Sequence, residues 1–189
     1  MNSLRNNKLG LTIFALMALP VGVESAAAAE AVFKRTPTQI EHVRLVSTKS
    51  FDEVAAVLER TVPKLDPGVI PALGAGDEKH ATELEKGQKL FIFETREHGA
   101  LLQAVGRPAK ARQYEIGNPV TAMRITQHQL AAGLYAPLRV LLYANASGGA
   151  TFEYDKPSTQ FGQFGDAQVA AIGKELDSEL EDALTHAAK

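Results

Sequence analysis

Apolar and polar positions alternate between two periods along this chain, and the changes of period mark its elements. Residues 40–48 (IEHVRLVST) mix β-branched and apolar residues with polar ones, the pattern of a strand. Ser50-Phe51-Asp52-Glu53 follows as a capping box, in which Ser50 takes the Glu53 amide and Glu53 reaches back. Val54, Val57 and Leu58 then recur at helical spacing, until KLDPG at 64–68 supplies turn chemistry. Residues 89–95 (KLFIFET) are apolar on both faces, which predicts a central strand covered on both sides. A helix is expected over 97–105, closed by Gly106-Arg107-Pro108, then a short strand over 112–116. Gly117-Asn118-Pro119 opens a helix running to about residue 129. Two strand-like runs, 138–144 and 150–154, flank Asn145-Ala146-Ser147-Gly148-Gly149 and read as a hairpin. Asp166 caps a last helix with Val169, Ile172, Leu176, Leu180 and Ala183 in one stripe and Lys174, Glu175, Asp177 and Glu181 away from it.

Residues 69–87 hold no clear period. Gly74-Ala75-Gly76 is hinge-like, and Asp77 can cap a short helix that Gly87 stops; a mobile flap fits equally well. Strands and helices mix without strict alternation, so the expected class is α+β. The architecture is a mixed or antiparallel sheet of about four to five strands, with helices packed on it and a C-terminal amphipathic helix. One domain over 38–187 accounts for the pattern.

The N-terminus changes the picture. Arg5 and Lys8 precede an apolar run over 9–23, and Ser25-Ala26-Ala27-Ala28-Ala29 supplies small residues for cleavage after Ala29. Residues 1–29 therefore read as a signal peptide, and the protein as periplasmic or secreted. The run is shorter than the ~20 residues that span a bilayer, so no stable membrane insertion is expected once it is cleaved. The formal net charge of −2 leaves no basic excess to neutralise phosphates, which argues against nucleic acid as partner. The chain has no cysteine, so core packing must supply its stability, and thiolate chemistry and Cys-ligated metals are excluded.

Gly117-Asn118-Pro119, then Ala136-Pro137-Leu138-Arg139-Val140-Leu141-Leu142-Tyr143, then the glycine hairpin resemble the domain of unknown function 302 family. Ser50-Phe51-Asp52-Glu53 and Glu97-His98-Gly99-Ala100 resemble its earlier helix starts, in the same order. The resemblance spans about residues 40–184. It implies a compact α+β domain and a homodimer, and it brings no established reaction. The chain departs from shorter members in segment 69–87, in Glu97 for Asp, and in Phe161-Gly162-Gln163-Phe164-Gly165.

Candidate chemistry gathers near the Gly117 turn. Asn118 suits an N-cap and Pro119 the first helical position, and the free amides beyond them would attract a carboxylate or phosphate. Most capped helices bind nothing, so the turn also reads simply as a good helix start. His98 and His128 are the ionisable candidates, and the family order hints that His98 lies beside Asn118. Tyr114, Tyr143 and Arg139 complete a candidate pocket, with Arg139 as an anion partner. The histidines are scattered without ligand spacing, so no metal and no cofactor is expected. No Gly-x-Ser-x-Gly or Walker-type loop occurs.

The first expectation is thus a small-ligand-binding or interaction module, with an anionic or hydrophobic ligand near the Gly117-Asn118-Pro119 turn. The second is an enzyme with His98 as general acid or base and Asn118 with nearby amides as oxyanion donors. The third is a structural or partner-binding protein, signalled by an exposed apolar patch around Phe161 and Phe164.

Overall fold

Five strands form one antiparallel sheet in the order β1-β5-β4-β3-β2. They are β1 (His42–Ser47), β2 (Phe91–Glu97), β3 (Ala111–Gly117), β4 (Leu138–Ala144) and β5 (Ala150–Asp155). The structure, a computed structural model, describes residues 31–189. The expected signal peptide lies outside the described residues. The chain divides into Met1–Thr36 and Pro37–Lys189, and every helix and strand described here belongs to the second unit.

Period-two alternation sorts the strands into a dry face and a wet one. Tyr114 and Ile116 of β3, Leu138, Val140 and Leu142 of β4, and Phe152 and Tyr154 of β5 are buried. Their neighbours Gln113, Glu115, Arg139, Tyr143, Glu153 and Asp155 lie on the other face, half-buried or exposed. Two helices cover the dry face. α1 (Phe51–Thr61) buries Phe51, Val54, Ala55 and Leu58, and α7 (Ala167–Ala188) buries Val169, Ile172, Leu176, Leu180 and Leu184. Both start as their sequences predict. The Ser50 amide donates to Glu53 Oε2 at 2.9 Å while the Glu53 amide donates to Ser50 Oγ at 3.4 Å. Asp166 Oδ1 accepts from the Gln168 and Val169 amides at 2.8 and 3.0 Å. The class is α+β, with the sheet wholly antiparallel and the C-terminal helix in place.

Segment 69–87 forms two short helices, α2 (Val69–Gly74) and α3 (Glu78–Glu85), around a satellite core of Val69, Ala72 and Ala81. Asp77 caps α3 by accepting from the His80 amide at 3.0 Å. The helix stops at Lys86 and Gly87, which take φ of 51° and 75°. Only the glycine enters that left-handed region without steric cost.

The remaining helices follow the strands. α4 (His98–Leu102) ends in a 3₁₀ turn over Gln103–Val105, and α5 (Pro119–Thr126) is followed by a second over Leu130–Tyr135. α6 (Pro157–Gly162) packs against α7. Among the described residues, no helix is long and apolar enough to cross a membrane.

The position of residues 89–95 is a correction: β2 is an edge strand, not a central one. Its apolar run covers only the start of the strand. Phe91 and Ile92 are buried, and every residue from Phe93 to Glu97 is exposed. The start is dry because the chain after α1 runs beside it. Lys64 bridges Ile92, and the Leu65 amide donates to Ile92 O at 3.2 Å. A short stretch of neighbouring loop thus does what a sixth strand would have done.

Leu180 sits at the centre of the α7 stripe, fully buried. Leu180→Ala is expected to cost about 2–5 kcal/mol, measured by urea unfolding followed by circular dichroism.

Candidate functional site

Three strand ends meet at one corner of the sheet. Phe91 pairs with Gly117, and Ile116 pairs with Leu138, so the start of β2, the end of β3 and the start of β4 lie side by side. α5 leaves from this corner and α2 covers it. Between them lies a cavity of about 240 Å³. Its floor is Ile125, Leu138, Phe161 and Leu176, and its mouth carries Ile70 of α2 and Phe93 of β2. Both mouth residues face solvent, at 53% and 36% exposure, which is unusual for two large apolar side chains at one opening. Gly117 lines the cavity, and a Cβ there would stand in ordinary contact, 3.6 Å from the Phe93 ring and 3.7 Å from Pro137. Its φ is not left-handed, so the turn does not draw on the conformational freedom of glycine.

Asn118 and Thr121 are the cavity's polar side chains. Asn118 is the N-cap of α5, its Oδ1 accepting from the Thr121 amide at 2.9 Å, with Pro119 in the first turn. This is the cap that the sequence predicts. What the sequence does not reveal is the group behind it. Glu85, the last residue of α3, is only 7% exposed, and its Oε1 has no hydrogen-bond partner. Burial pushes its carboxyl above the usual range, while the nearby Asn118 side chain and Val120 amide pull the other way. The start of α5, the expected docking point for a carboxylate or phosphate, thus already faces the Glu85 carboxyl of the same chain. One signal existed: Glu85 follows Ala81 by four residues, which places it on the buried side of α3.

The other candidate residues do not join this corner. With Phe91 opposite Gly117 and Glu97 opposite Arg112, His98 stands at the far end of the β2–β3 pair from Asn118. The separation is roughly 20 Å at about 3.3 Å per residue. His98 Nε2 lies 3.0 Å from Gln113 Oε1, on the wet side of the sheet. No small substrate bridges that span, so an acid–base pair of His98 with an Asn118 oxyanion site is ruled out by geometry. Tyr114 faces the dry side and is fully buried. Its hydroxyl donates to Glu59 of α1 at 2.9 Å, in a cluster with Arg112, and burial pushes its pKa up. It ties α1 to β3 and does not line the cavity at the Gly117 corner. Arg139 is on the wet face opposite Glu115 of β3. His128 lies beyond the end of α5, exposed.

Tyr143 belongs to a different constellation, also on the wet face. Its hydroxyl donates to Glu153 Oε1 at 2.6 Å. His42 of β1 lies between two carboxylates of β5, Nδ1 at 2.9 Å from Asp155 and Nε2 at 3.2 Å from Glu153. Arg44 Nε approaches Glu153 at 3.5 Å. The hydrogen bonds to Asp155 and Glu153 hold His42 above its usual pKa, and those from Tyr143 and His42 hold Glu153 below its own. Sequence reading missed His42 because β1 pairs with β5, over a hundred residues away. Among the described residues, no group of three or more His, Cys, Asp or Glu is placed to hold a metal.

The loop of Phe161 and Phe164 is likewise not a free patch. Phe161 belongs to α6 and is buried, and both rings meet Tyr135 edge-on at 6.4 and 6.0 Å. They pin the α6 end to the second 3₁₀ turn.

The family model described as "Domain of unknown function DUF302" matches residues 78–187. The chain belongs to this family. The match covers α3, the whole of β2 to β5 and nearly all of α7, including the Gly117-Asn118-Pro119 turn. A solved structure, an uncharacterized conserved protein DUF302 from Bacillus stearothermophilus, is similar over 77% of this chain and 97% of that one. It has a TM-score of 0.58 and 17% identity, so the likeness bears on the fold alone. No curated protein matches the chain.

The His42 cluster has a pH signature. A histidine with a raised folded pKa adds stability that is complete below the unfolded value of about 6.5 and is lost as pH rises through the folded pKa. His42→Gln is therefore expected to lower Tm at pH 5.5 and to leave it nearly unchanged at pH 9, read by thermal unfolding across that range.

Proposed function

We propose that this protein is an exported small-ligand-binding module, and that its ligand occupies the cavity at the Gly117-Asn118-Pro119 corner. The observation that carries the reading is the cavity itself. Its floor is built from core side chains, its mouth exposes Ile70 and Phe93, and a capped helix start supplies a single polar edge. Binding sites of this kind are concave, mostly apolar and preformed, with a few polar groups that orient the ligand. Export rests on Arg5, Lys8, the apolar run over 9–23 and the alanines at 26–29.

The reading does not use His98, Tyr114, Tyr143, Arg139 or His128. They stand on other faces or at the other end of the sheet. Asn118 is the one candidate residue that lines the cavity.

A thermal-shift screen of small anions and small apolar compounds tests the proposal. A ligand at a hundred times its Kd adds about 2.7 kcal/mol, which in a domain of this size raises Tm by roughly 5–10 °C. Ala122 lines the cavity from α5, and Ala122→Phe fills it. The expected result is a compound that shifts the native protein and leaves the folded Ala122→Phe variant unmoved. A screen in which no compound shifts Tm, or in which the filled variant responds equally, overturns the reading.

A further inference from the structure

Resting on that cavity reading, we infer that the corner selects an uncharged, largely apolar molecule of about ten heavy atoms, and that buried Glu85 excludes carboxylates from it. Size comes first. A cavity of 150 Å³ lined by aliphatic side chains holds benzene, so about 240 Å³ holds roughly ten non-hydrogen atoms.

Charge comes second. None of the lining side chains is ionisable. An anion entering would leave water for Ile125, Leu138, Phe161 and Leu176 without a cation to meet it, and desolvation of an unpaired charge is costly. A helix start is the usual remedy, since its free amides and dipole attract anions. Here that remedy is already taken. Asn118 Oδ1 holds the Thr121 amide, and the Glu85 carboxyl lies beside Asn118 and the Val120 amide. Glu85 lies outside the cavity lining, buried beside Asn118 with Oε1 unpartnered, so any charge it carries is weakly screened there. An incoming carboxylate finds the helix start already engaged by another carboxyl, where a bare helix start would have offered attraction. A neutral molecule meets none of these costs.

Indole and benzoate separate these effects, because both have nine heavy atoms and an aromatic ring and they differ in charge. Isothermal titration calorimetry of the full chain at pH 7.5 is expected to give a Kd for indole at least roughly tenfold below that for benzoate. Glu85→Gln keeps the shape and removes the ionisable carboxyl, and it is expected to narrow that gap by bringing benzoate closer to indole. Ala122→Phe is expected to abolish indole binding. Ile70→Trp at the exposed mouth serves the same purpose if the filled variant does not fold. Benzoate binding as tightly as indole, and lost with it in the filled variant, overturns the ligand class and leaves the cavity reading standing. A gap that Glu85→Gln leaves unchanged overturns the role of Glu85. Binding of neither probe, or binding that neither cavity variant alters, overturns the cavity reading itself.

Discussion

Burial of one face of the sheet, and only one, is the constraint from which the rest of this structure follows. Tyr114, Ile116, Val140, Leu142, Phe152 and Tyr154 must all point toward α1 and α7, and the residues between them must all tolerate water. A slip of one residue in any pairing would turn a core row into solvent. The one-sided pattern therefore specifies register strongly in β3, β4 and β5, where alternation is clean. It specifies register weakly in β2, whose outer half is polar on both sides. The pairing there shows a bulge between Ile92 and Glu94, where the dry half of the strand gives way to the wet half.

The same constraint places the candidate site. Antiparallel pairing brings the start of β2, the end of β3 and the start of β4 to one corner, and it carries the end of β2 to the opposite one. Core side chains from α5, α6 and α7 reach the first corner, and α2 roofs it from a satellite cluster with its own small core. The result is a cavity continuous with the core but open at its mouth. Such a site is suited to binding by shape and apolar contact. The polar clusters lie elsewhere: around His42 and Glu153 on the wet face, and around Arg112 and Glu59 at the α1 edge. Both are explained by holding strands and helices together.

Local features were well read from sequence because their causes are local. The Ser50 and Asp166 caps, the Asn118 cap with Pro119 behind it, and the hairpin after Tyr143 each depend on a few adjacent residues. Segment 69–87 was ambiguous because α2 and α3 are too short for a period to emerge, and their core is shared with Leu65. The run at 89–95 misled because hydrophobicity reports burial and not its source. A loop at Lys64 and Leu65 covers Ile92 as a strand would.

By itself, the sequence determined the α+β class, the order of the strands, the caps and the family, since periodicity and turn chemistry act over a few residues at a time. It also pointed to the Gly117-Asn118-Pro119 turn as the corner to inspect. Only the tertiary structure decided what that corner contains. Sequence order suggested His98 as its neighbour, whereas strand pairing sends His98 to the other end of the sheet and brings in Glu85, Ile70 and Phe161. The physical reason is that pairing across a sheet follows from which faces can be buried together. That is a property of the whole chain, which no single motif contains.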